Sequence, residues 1–444
     1  MTTFAPRALL LSAALALTAC AQPPDLKPVE QAFAPGTAGL GANRVKSSIT
    51  QTDFGRRVAQ AVRTAPALTS ADATLREARA AELAASGAFL PTVSFGAEAT
   101  AERVSGASTK GVSPYVRVSQ LVYDGGASRS ETAAASARVY QAQGSRLEKA
   151  SATALSAVEA WQAVITRRKL LDLAQENLAV HRDFVTQIAE VASAGAGVQS
   201  ELLTAKARLA DAETGAVDAR ASLDRAEATF TEVFGTAPGG LAAPPRAPAL
   251  PGSRETVIAE SPRMRAITAR KAAAEAELSA SEARKLPSVS LGATGLRAAG
   301  GGADTKLDLS VNYALDTGRK RAAASEAAKA RLDSIAAEAD GLSREIARAL
   351  DFVRSDQKAG AERVRAARAA ARANAETVAA ARDEFSVGRR SLLEVLDAQR
   401  DYVAAQSTQI RAEEEYFLTD YAALSLTGDI LDVFGIKLIL GGSQ

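Results

Sequence analysis

The amino-acid sequence contains an internal duplication, and this feature restricts the possible folds more than any single motif does. Three landmarks occur once in each half, in the same order and at nearly constant spacing. They are residues 90–97 (LPTVSFGA) and 286–293 (LPSVSLGA), residues 124–126 (DGG) and 316–318 (DTG), and the pairs Gly195/Glu201 and Gly388/Glu394. We therefore predict two structural repeats, residues 69–235 and 253–428, joined by a linker at 236–252 and followed by a C-terminal tail at 429–444.

The first residues are typical of an export signal. Arg7 precedes an apolar run at 8–17 that is too short to remain as a membrane-spanning helix, and the run ends in Leu-Thr-Ala-Cys20. Residues 1–19 are similar to a bacterial lipoprotein signal, which predicts that Cys20 is lipidated; the alternative is a secretory signal with a chance cysteine. We predict that residues 20–68 form a lipidated N-terminal arm. The four prolines in its first part, 21–41, predict that this part is extended.

The composition excludes several classes of function. Cys20 and His181 are the single cysteine and the single histidine, so neither a disulfide framework, a cysteine-based zinc site nor a histidine-dependent centre is expected. The net charge of +2 gives no basis for nucleic-acid binding. The sequence also contains no P-loop and no Gly-x-Ser-x-Gly motif. We expect a protein that is not an enzyme and that uses no metal and no cofactor.

The distribution of proline predicts long helices. The chain has no proline between Pro114 and Pro238 and none after Pro287, and an interior proline costs a helix about 3 kcal/mol. We predict one helical stretch over 128–234, interrupted near 194–197, and a second over 318–426, interrupted near Gly388. Shorter helices are predicted at 70–88 and 254–284. Helices of this length need coiled partners.

A two-residue period between the short and long helices predicts strands. Apolar residues alternate with small and polar ones over 93–100, 289–294 and 307–315, and less cleanly over 116–122. Each segment is about the ten residues that a tilted strand needs to cross a bilayer. A half-buried sheet of a soluble protein has the same pattern, so that alternative stays open. Each repeat supplies one hairpin, with tips at 105–108 and 299–302, and two hairpins are too few to close a barrel.

The order of these elements resembles the TolC-type outer-membrane factor family. The most specific match is residues 385–399 (FSVGRRSLLEVLDAQ), which are similar to that family's signature at the periplasmic helix turn. The resemblance implies an α+β membrane protein that forms a homotrimer. It also implies one 12-stranded β-barrel with four strands per protomer, continuous with a long α-helical coiled-coil periplasmic barrel. The implied location is the outer membrane, lipid-anchored and extending into the periplasm.

The same resemblance implies a periplasmic gate at the helix turns. In this reading Glu394 and Asp397 ring the closed aperture, Glu201 is their first-half counterpart, and Arg390 ties neighbouring helices together. Gly195 and Gly388 mark the two helix turns. Glu394 stands where the family pattern has Asp, and Val198 and Gln199 depart from the pattern of the first turn. The alternative is a solvated helix face that carries ordinary charges.

The implied function is a passive outer-membrane duct of a tripartite export system. Its partners would be outer-membrane lipid, a periplasmic adaptor, and an inner-membrane transporter that is either an ATP-binding-cassette (ABC) protein or proton-driven. The turn at 385–399 favours type I protein secretion, whereas the Cys20 segment favours multidrug efflux. Two other kinds of protein stay open as alternatives. A periplasmic adaptor would need one helical hairpin instead of two, and a structural coiled-coil lipoprotein would leave the bilayer-length strands unexplained.

Overall fold

The computed structural model describes residues 23–41, 48–104, 107–193, 199–297 and 302–438. Within this part the chain divides into two compact units, each assembled from both sequence repeats. The described residues of the first unit are 23–34, 71–145 and 263–342. The second unit takes its described residues from 35–70, 146–262 and 343–438. The signal at 1–19, Cys20, Gly195 and most of the two predicted hairpin tips lie outside the described residues.

The first unit contains a four-stranded antiparallel sheet. Its strands are β1 (Thr92–Val104), β2 (Ala107–Tyr123), β3 (Ser288–Arg297) and β4 (Ala303–Asn312). They are ordered β1-β2-β3-β4, so the hairpins of the two repeats lie side by side through the β2–β3 pairing. The four predicted strands are confirmed, but β4 ends at Asn312, and Tyr313 and Leu315, which the alternation included, lie beyond it.

The register places apolar residues on one face of the sheet. Phe95 pairs with Val116, Val118 with Ala293, and Ala293 with Leu307, so these alternate positions project from the same side. Their side chains are not covered: Phe95 is 78% exposed and Leu307 77% exposed. The opposite face carries polar positions such as Arg117, Thr294 and Lys306 in one paired row. The sheet is therefore two-sided, with an uncovered apolar face.

Helices make up most of the remaining chain. Those in the described residues are α1 (Lys27–Ala32), α2 (Asp53–Thr64), α3 (Pro66–Ser86), α4 (Ala127–Ser193), α5 (Gln199–Phe234), α6 (Arg254–Glu260), α7 (Pro262–Ala283), α8 (Lys320–Ser386), α9 (Leu392–Thr427) and α10 (Asp429–Val433). The duplication extends to helix length, because α4 and α8 each have 67 residues and α5 and α9 each have 36. A helix of 67 residues is about 100 Å long. None of the helices in the described residues combines the length and the hydrophobicity of a membrane span.

The aspartates of the two Asp-x-Gly landmarks cap the long helices. The Asp124 carboxylate accepts hydrogen bonds from the backbone N–H of Gly126 (3.1 Å) and of Ser128 (2.7 Å) at the start of α4. Asp316 accepts from the N–H groups of Arg321 (3.1 Å) and Ala322 (3.0 Å) at the start of α8. These bonds satisfy amides that a helix N-terminus leaves without partners. Each landmark therefore lies at the junction between a hairpin and the long helix that follows it.

An aromatic core holds the second unit together. Trp161 is fully buried; its ring lies 5.2 Å from that of Phe54, and the Tyr421 and Phe434 rings stack at 6.0 Å. Trp161 Nε1 donates to the carbonyl of Ala242 at 3.1 Å, and the Tyr421 hydroxyl donates to that of Pro245 at 2.7 Å. The non-helical segment between the repeats is therefore attached to this core. Trp161 therefore packs α4 against α2 and α5.

Two predictions about the shorter segments are wrong. Residues 21–41 are not uniformly extended, because Lys27–Ala32 forms a helix with a proline in its first turn, a position that leaves no helical hydrogen bond unmade. The predicted helix at 254–284 is two helices, since Ser261 takes an extended conformation before Pro262. Within the predicted arm, α2 is also helical, capped by Thr52, whose Oγ1 accepts from the N–H of Gly55 at 3.0 Å.

The C-terminal residues belong to the core of the second unit. Ile430, Leu431, Val433 and Phe434 are almost fully buried in and after α10. The Asp432 carboxylate accepts a hydrogen bond from the backbone N–H of Gly39 at 3.2 Å. The predicted tail is therefore structural over its described part, 429–438.

Candidate periplasmic helix turn

The connection between α8 and α9 is a tight turn held by backbone hydrogen bonds. Gly388 has φ of +72°, a left-handed conformation that glycine adopts without steric cost. Its N–H donates to the carbonyl of Phe385 at 3.0 Å, and the N–H of Arg389 donates to that of Glu384 at 2.9 Å. This pair of bonds is the Schellman arrangement that ends a helix. Gly388 therefore stops α8 and reverses the chain within five residues.

Helix α9 begins with a capping box. Ser391 Oγ accepts from the N–H of Glu394, and the Glu394 carboxylate accepts from the backbone N–H of Ser391 at 2.9 Å and from its hydroxyl at 2.7 Å. The hydrogen bond from the Ser391 side chain, and then that from its backbone, holds the pKa of Glu394 below its usual range. The Ser-x-x-Glu spacing is itself a sequence signal for this box. Sequence reasoning selected Glu394 for its charge and missed its capping role.

The other predicted charges of this turn have partners nearby. The Asp397 carboxylate lies 3.2 Å from Arg400 on the same helix and 4.0 Å from Arg208 on α5. Arg390 lies 3.6 Å from Glu384 in the last turn of α8. Asp397 thus links two helices, while Arg390 links the turn to the end of its own helix. These pairs are part-exposed, so each contributes little to stability.

Glu201 occupies the first turn of α5, the position that corresponds to Glu394 in the first repeat. Its side chain is exposed. A negative charge there interacts favourably with the positive end of the helix dipole. The residues that would form the matching turn around Gly195 lie outside the described part, so the structure describes only one of the two turns.

An apolar cluster packs four helices together beside the described turn. Phe184 and Ile188 of α4 contact Ala205 of α5, Ala381 of α8 and the first turns of α9. The α9 members are Leu392, Val395 and Leu396. The rings of Phe184 and Phe385 meet edge to face at 6.4 Å. The first turns of α5 and α9, which carry Glu201 and Glu394, therefore rest on one common core.

A polar network centred on the buried Gln399 follows this cluster along α9. Gln399 is 1% exposed; its Oε1 accepts from Arg382 Nη2 at 2.6 Å, and its Nε2 donates to Asn177 Oδ1 at 3.0 Å. One amide thereby connects α9 to α8 and to α4. Sequence reasoning missed this network because Asn177 lies 222 residues before Gln399, and of the three residues only Gln399 belongs to the 385–399 signature.

A cavity of about 790 Å³ opens further along the same helices, among α4, α5 and α9. Its wall includes Arg167, His181, Arg208 and Glu414. Burial and then the neighbouring charge of Arg208 lower the pKa of His181, whereas burial raises that of Glu414 despite Arg167 at 3.4 Å. His181 is consequently a neutral imidazole near pH 7.

The comparison with known proteins decides what this architecture is. The sequence model of the outer membrane efflux protein family matches residues 58–236 and 254–427, one match for each repeat. The chain belongs to the outer membrane efflux protein family. It is accordingly an outer-membrane channel that extends into the periplasm, and it serves tripartite export without being an enzyme. Membership of this family excludes the two alternatives from the sequence analysis, a periplasmic adaptor and a structural coiled-coil lipoprotein.

Relatives of this efflux protein agree over most of their lengths. The outer membrane efflux protein BepC of Brucella suis is 28% identical over 342 residues, 73% of this chain and 74% of its own. The solved outer-membrane channel OprN superposes with a TM-score of 0.79 at 20% identity and covers 92% of this chain and 99% of its own. VceC of Vibrio cholerae gives 0.77 at 17% identity, with 85% and 96% covered. The TolC-type fold predicted from the sequence is confirmed.

Proposed function

We propose that three copies of this efflux protein assemble into one passive export duct. The observation that carries the proposal is the four-stranded sheet with an uncovered apolar face. β1 and β4 are the outer strands of that sheet, and an outer strand exposes hydrogen-bonding groups that favour pairing with another chain. Three sheets joined edge to edge form a closed sheet of twelve strands whose apolar face meets lipid. Energy then comes from an inner-membrane transporter that is joined through a periplasmic adaptor.

Within this duct, Glu394 supplies the principal charge of the periplasmic gate. Glu394 is exposed and hydrogen bonds from Ser391 hold its carboxylate ionised, whereas Asp397 forms ion pairs with Arg400 and Arg208. Three copies of Glu394 around the trimer axis create a negative potential that attracts cations. Glu201 adds a second, more weakly positioned ring. Asp397 holds α9 and α5 together in the closed state through Arg208, and Arg390 holds the turn against the end of α8 through Glu384.

The gate assignment is tested by ion selectivity in planar bilayers. Glu394→Gln removes the charge and keeps a residue that is compatible with the capping box. We expect the trimeric channel to lose cation preference. The matched control is Glu232→Gln, an exposed glutamate near the opposite end of α5, which should leave selectivity unchanged. Equal selectivity in the wild type and the Glu394 variant would exclude Glu394 as the gate charge.

The favoured substrate is an unfolded polypeptide exported by type I secretion with an ABC transporter. The supporting feature is the turn at 385–399, whose sequence favours the secretion branch. Multidrug efflux with a proton-driven pump is the second candidate, and the lipoprotein-like segment ending at Cys20 favours it. Cross-linking in living cells, followed by purification of the chain, separates the two. Recovery of an ABC transporter supports secretion, and recovery of a proton-driven pump overturns it in favour of drug efflux.

A further inference from the structure

Two glycines on the polar face of the sheet lie directly beneath larger side chains. Gly96 of β1 pairs with Tyr115 of β2, and Gly292 of β3 pairs with Asp308 of β4. A Cβ atom on Gly96 would lie 2.5 Å from Cζ of Tyr115, and one on Gly292 would lie 2.6 Å from Oδ2 of Asp308. Both distances are shorter than any stable contact between carbon and these atoms. The Tyr115 ring and the Asp308 carboxylate therefore occupy the space that a side chain on the paired strand would fill.

Neighbouring groups hold these two side chains flat against the sheet. The Arg117 guanidinium lies over the Tyr115 ring at 5.1 Å, and its Nε donates to Thr294 Oγ1 at 3.4 Å. Ser310 Oγ donates to the Asp308 carboxylate at 3.4 Å. A shallow concavity of about 580 Å³ remains above this layer. The long side chains thus lie along the wall instead of projecting from it.

A third glycine in the same region shows that this arrangement belongs to one face. Gly295 lies three residues after Gly292 in β3, so its missing side chain points to the opposite, apolar side. It pairs with Val116, and a Cβ placed on it would have no atom within 4 Å. Gly295 is therefore a matched control that differs from Gly292 in the face it occupies.

We propose that the Gly96–Tyr115 and Gly292–Asp308 pairs set the width of the channel within the membrane. This rests on the proposed closed sheet, in which the polar face lines the lumen. Glycine at both positions lets Tyr115 and Asp308 lie against the wall, which leaves the lumen wide. The same face carries both signs of charge, from Glu98, Asp304 and Asp308 and from Arg117 and Lys306. The lumen is suited to a large, hydrated substrate with charges of both signs, which is the chemistry of an extended polypeptide.

Single-channel conductance in planar bilayers tests the proposal. Gly96→Val pushes three Tyr115 rings per trimer into the lumen, and Gly292→Val does the same with three Asp308 side chains. We expect both variants to conduct less than the wild type, and Gly295→Val to conduct as the wild type does. The second substitution in G96V/Y115A and in G292V/D308A removes the displaced group, so conductance should recover. A purely structural role for the glycines would not produce that recovery.

The outcomes separate this proposal from the duct itself. A wild-type protein that forms no channels would contradict the proposed duct. If the wild type forms channels and G96V, G292V and G295V all conduct as the wild type does, only the proposed control of channel width is contradicted. Heat-modifiable trimers on gels show which variants assemble. If one glycine variant does not assemble, the other pair, on separate strands, provides the same comparison.

Discussion

At the scale of single residues, Ser391 controls how Glu394 is presented. Because Ser391 Oγ caps the first turn of α9 and Glu394 reciprocates, Ser391→Ala should free the start of the helix. Loss of an N-cap costs about 1 kcal/mol, so amides at 392–395 should exchange with solvent about fivefold faster. Hydrogen exchange of the detergent-solubilised protein measures this rate.

Thr408→Ala is the control for the Ser391 variant. The Thr408 hydroxyl lies on the same helix but donates to the carbonyl of Ala404 within it, at 2.8 Å. Its removal changes no helix end, so exchange at 392–395 should stay as in the wild type. If Ser391→Ala leaves the rate unchanged as well, the capping box does not contribute to the stability of this turn.

His181 predicts how stability depends on pH. Burial, then Arg208 and Arg382, lower the pKa of His181, an effect that Asp211 partly opposes. Below pH 6.5 the unfolded chain therefore binds a proton that the folded chain does not, and stability falls as pH drops. The contribution is at most about 1.4 kcal/mol per pH unit. Between pH 7.5 and 5.5, the melting temperature of the His181→Gln variant should therefore fall less than that of the wild type.

His181 is the one histidine of the sequence, so the His181→Gln variant differs from the wild type in this imidazole alone. Burial raises the pKa of Glu159 and of Glu414. The folded state therefore binds more protons at these two carboxylates than the unfolded state does, and they favour the folded state as pH drops. These carboxylates are present in both proteins, so the difference between them isolates His181. Identical pH slopes would mean that His181 becomes protonated in the folded state as readily as in the unfolded one.

At the scale of secondary-structure elements, local patterns were enough to predict the repeats. The absence of proline indicated the long helices, and a two-residue period indicated all four strands, because both signals act over neighbouring residues. The predicted extended conformation of the arm containing α1 is wrong because proline is compatible with the first turn of a helix, where it leaves no helical hydrogen bond unmade. The Gln399 network depends on contacts made only after α4, α8 and α9 meet, whereas the Ser391 capping box is local and its Ser-x-x-Glu spacing was available in the sequence. No pattern in the sequence identifies Asn177 as the partner of Gln399.

The C-terminal helix α10 gives a prediction at this scale. Leu431 is fully buried, and its Cδ1 would lie 3.3 Å from a Cβ on Gly39. Leu431→Ala should destabilise the second unit by about 2–5 kcal/mol, the range for removing a buried leucine side chain. Lys437→Ala, at an exposed position nearby, should change stability by less than about 0.5 kcal/mol. Thermal unfolding followed by circular dichroism compares them, and equal melting temperatures would show that the segment after Thr427 is dispensable for stability.

At the scale of the whole molecule, the two faces of the sheet determine whether the protein can enter a membrane. Leu309 and Ser310 are neighbours in β4 and therefore occupy opposite faces. Leu309 is 68% exposed on the apolar face, and in the proposed trimeric duct Leu309→Arg would place three charges against lipid. Each costs about 2–4 kcal/mol near the middle of the bilayer, whereas Ser310→Arg adds its charges to the polar face.

We therefore expect Leu309→Arg to remove heat-modifiable trimers from the outer-membrane fraction, while Ser310→Arg leaves them present. The two variants carry the same new side chain one residue apart, so they match in charge, size and strand propensity. The difference between them reports which face meets lipid, independently of what the duct transports. If both variants assemble equally, the apolar face does not contact lipid at this depth. If Ser310→Arg alone fails, the faces are reversed and the lumen lies on the side of Phe95.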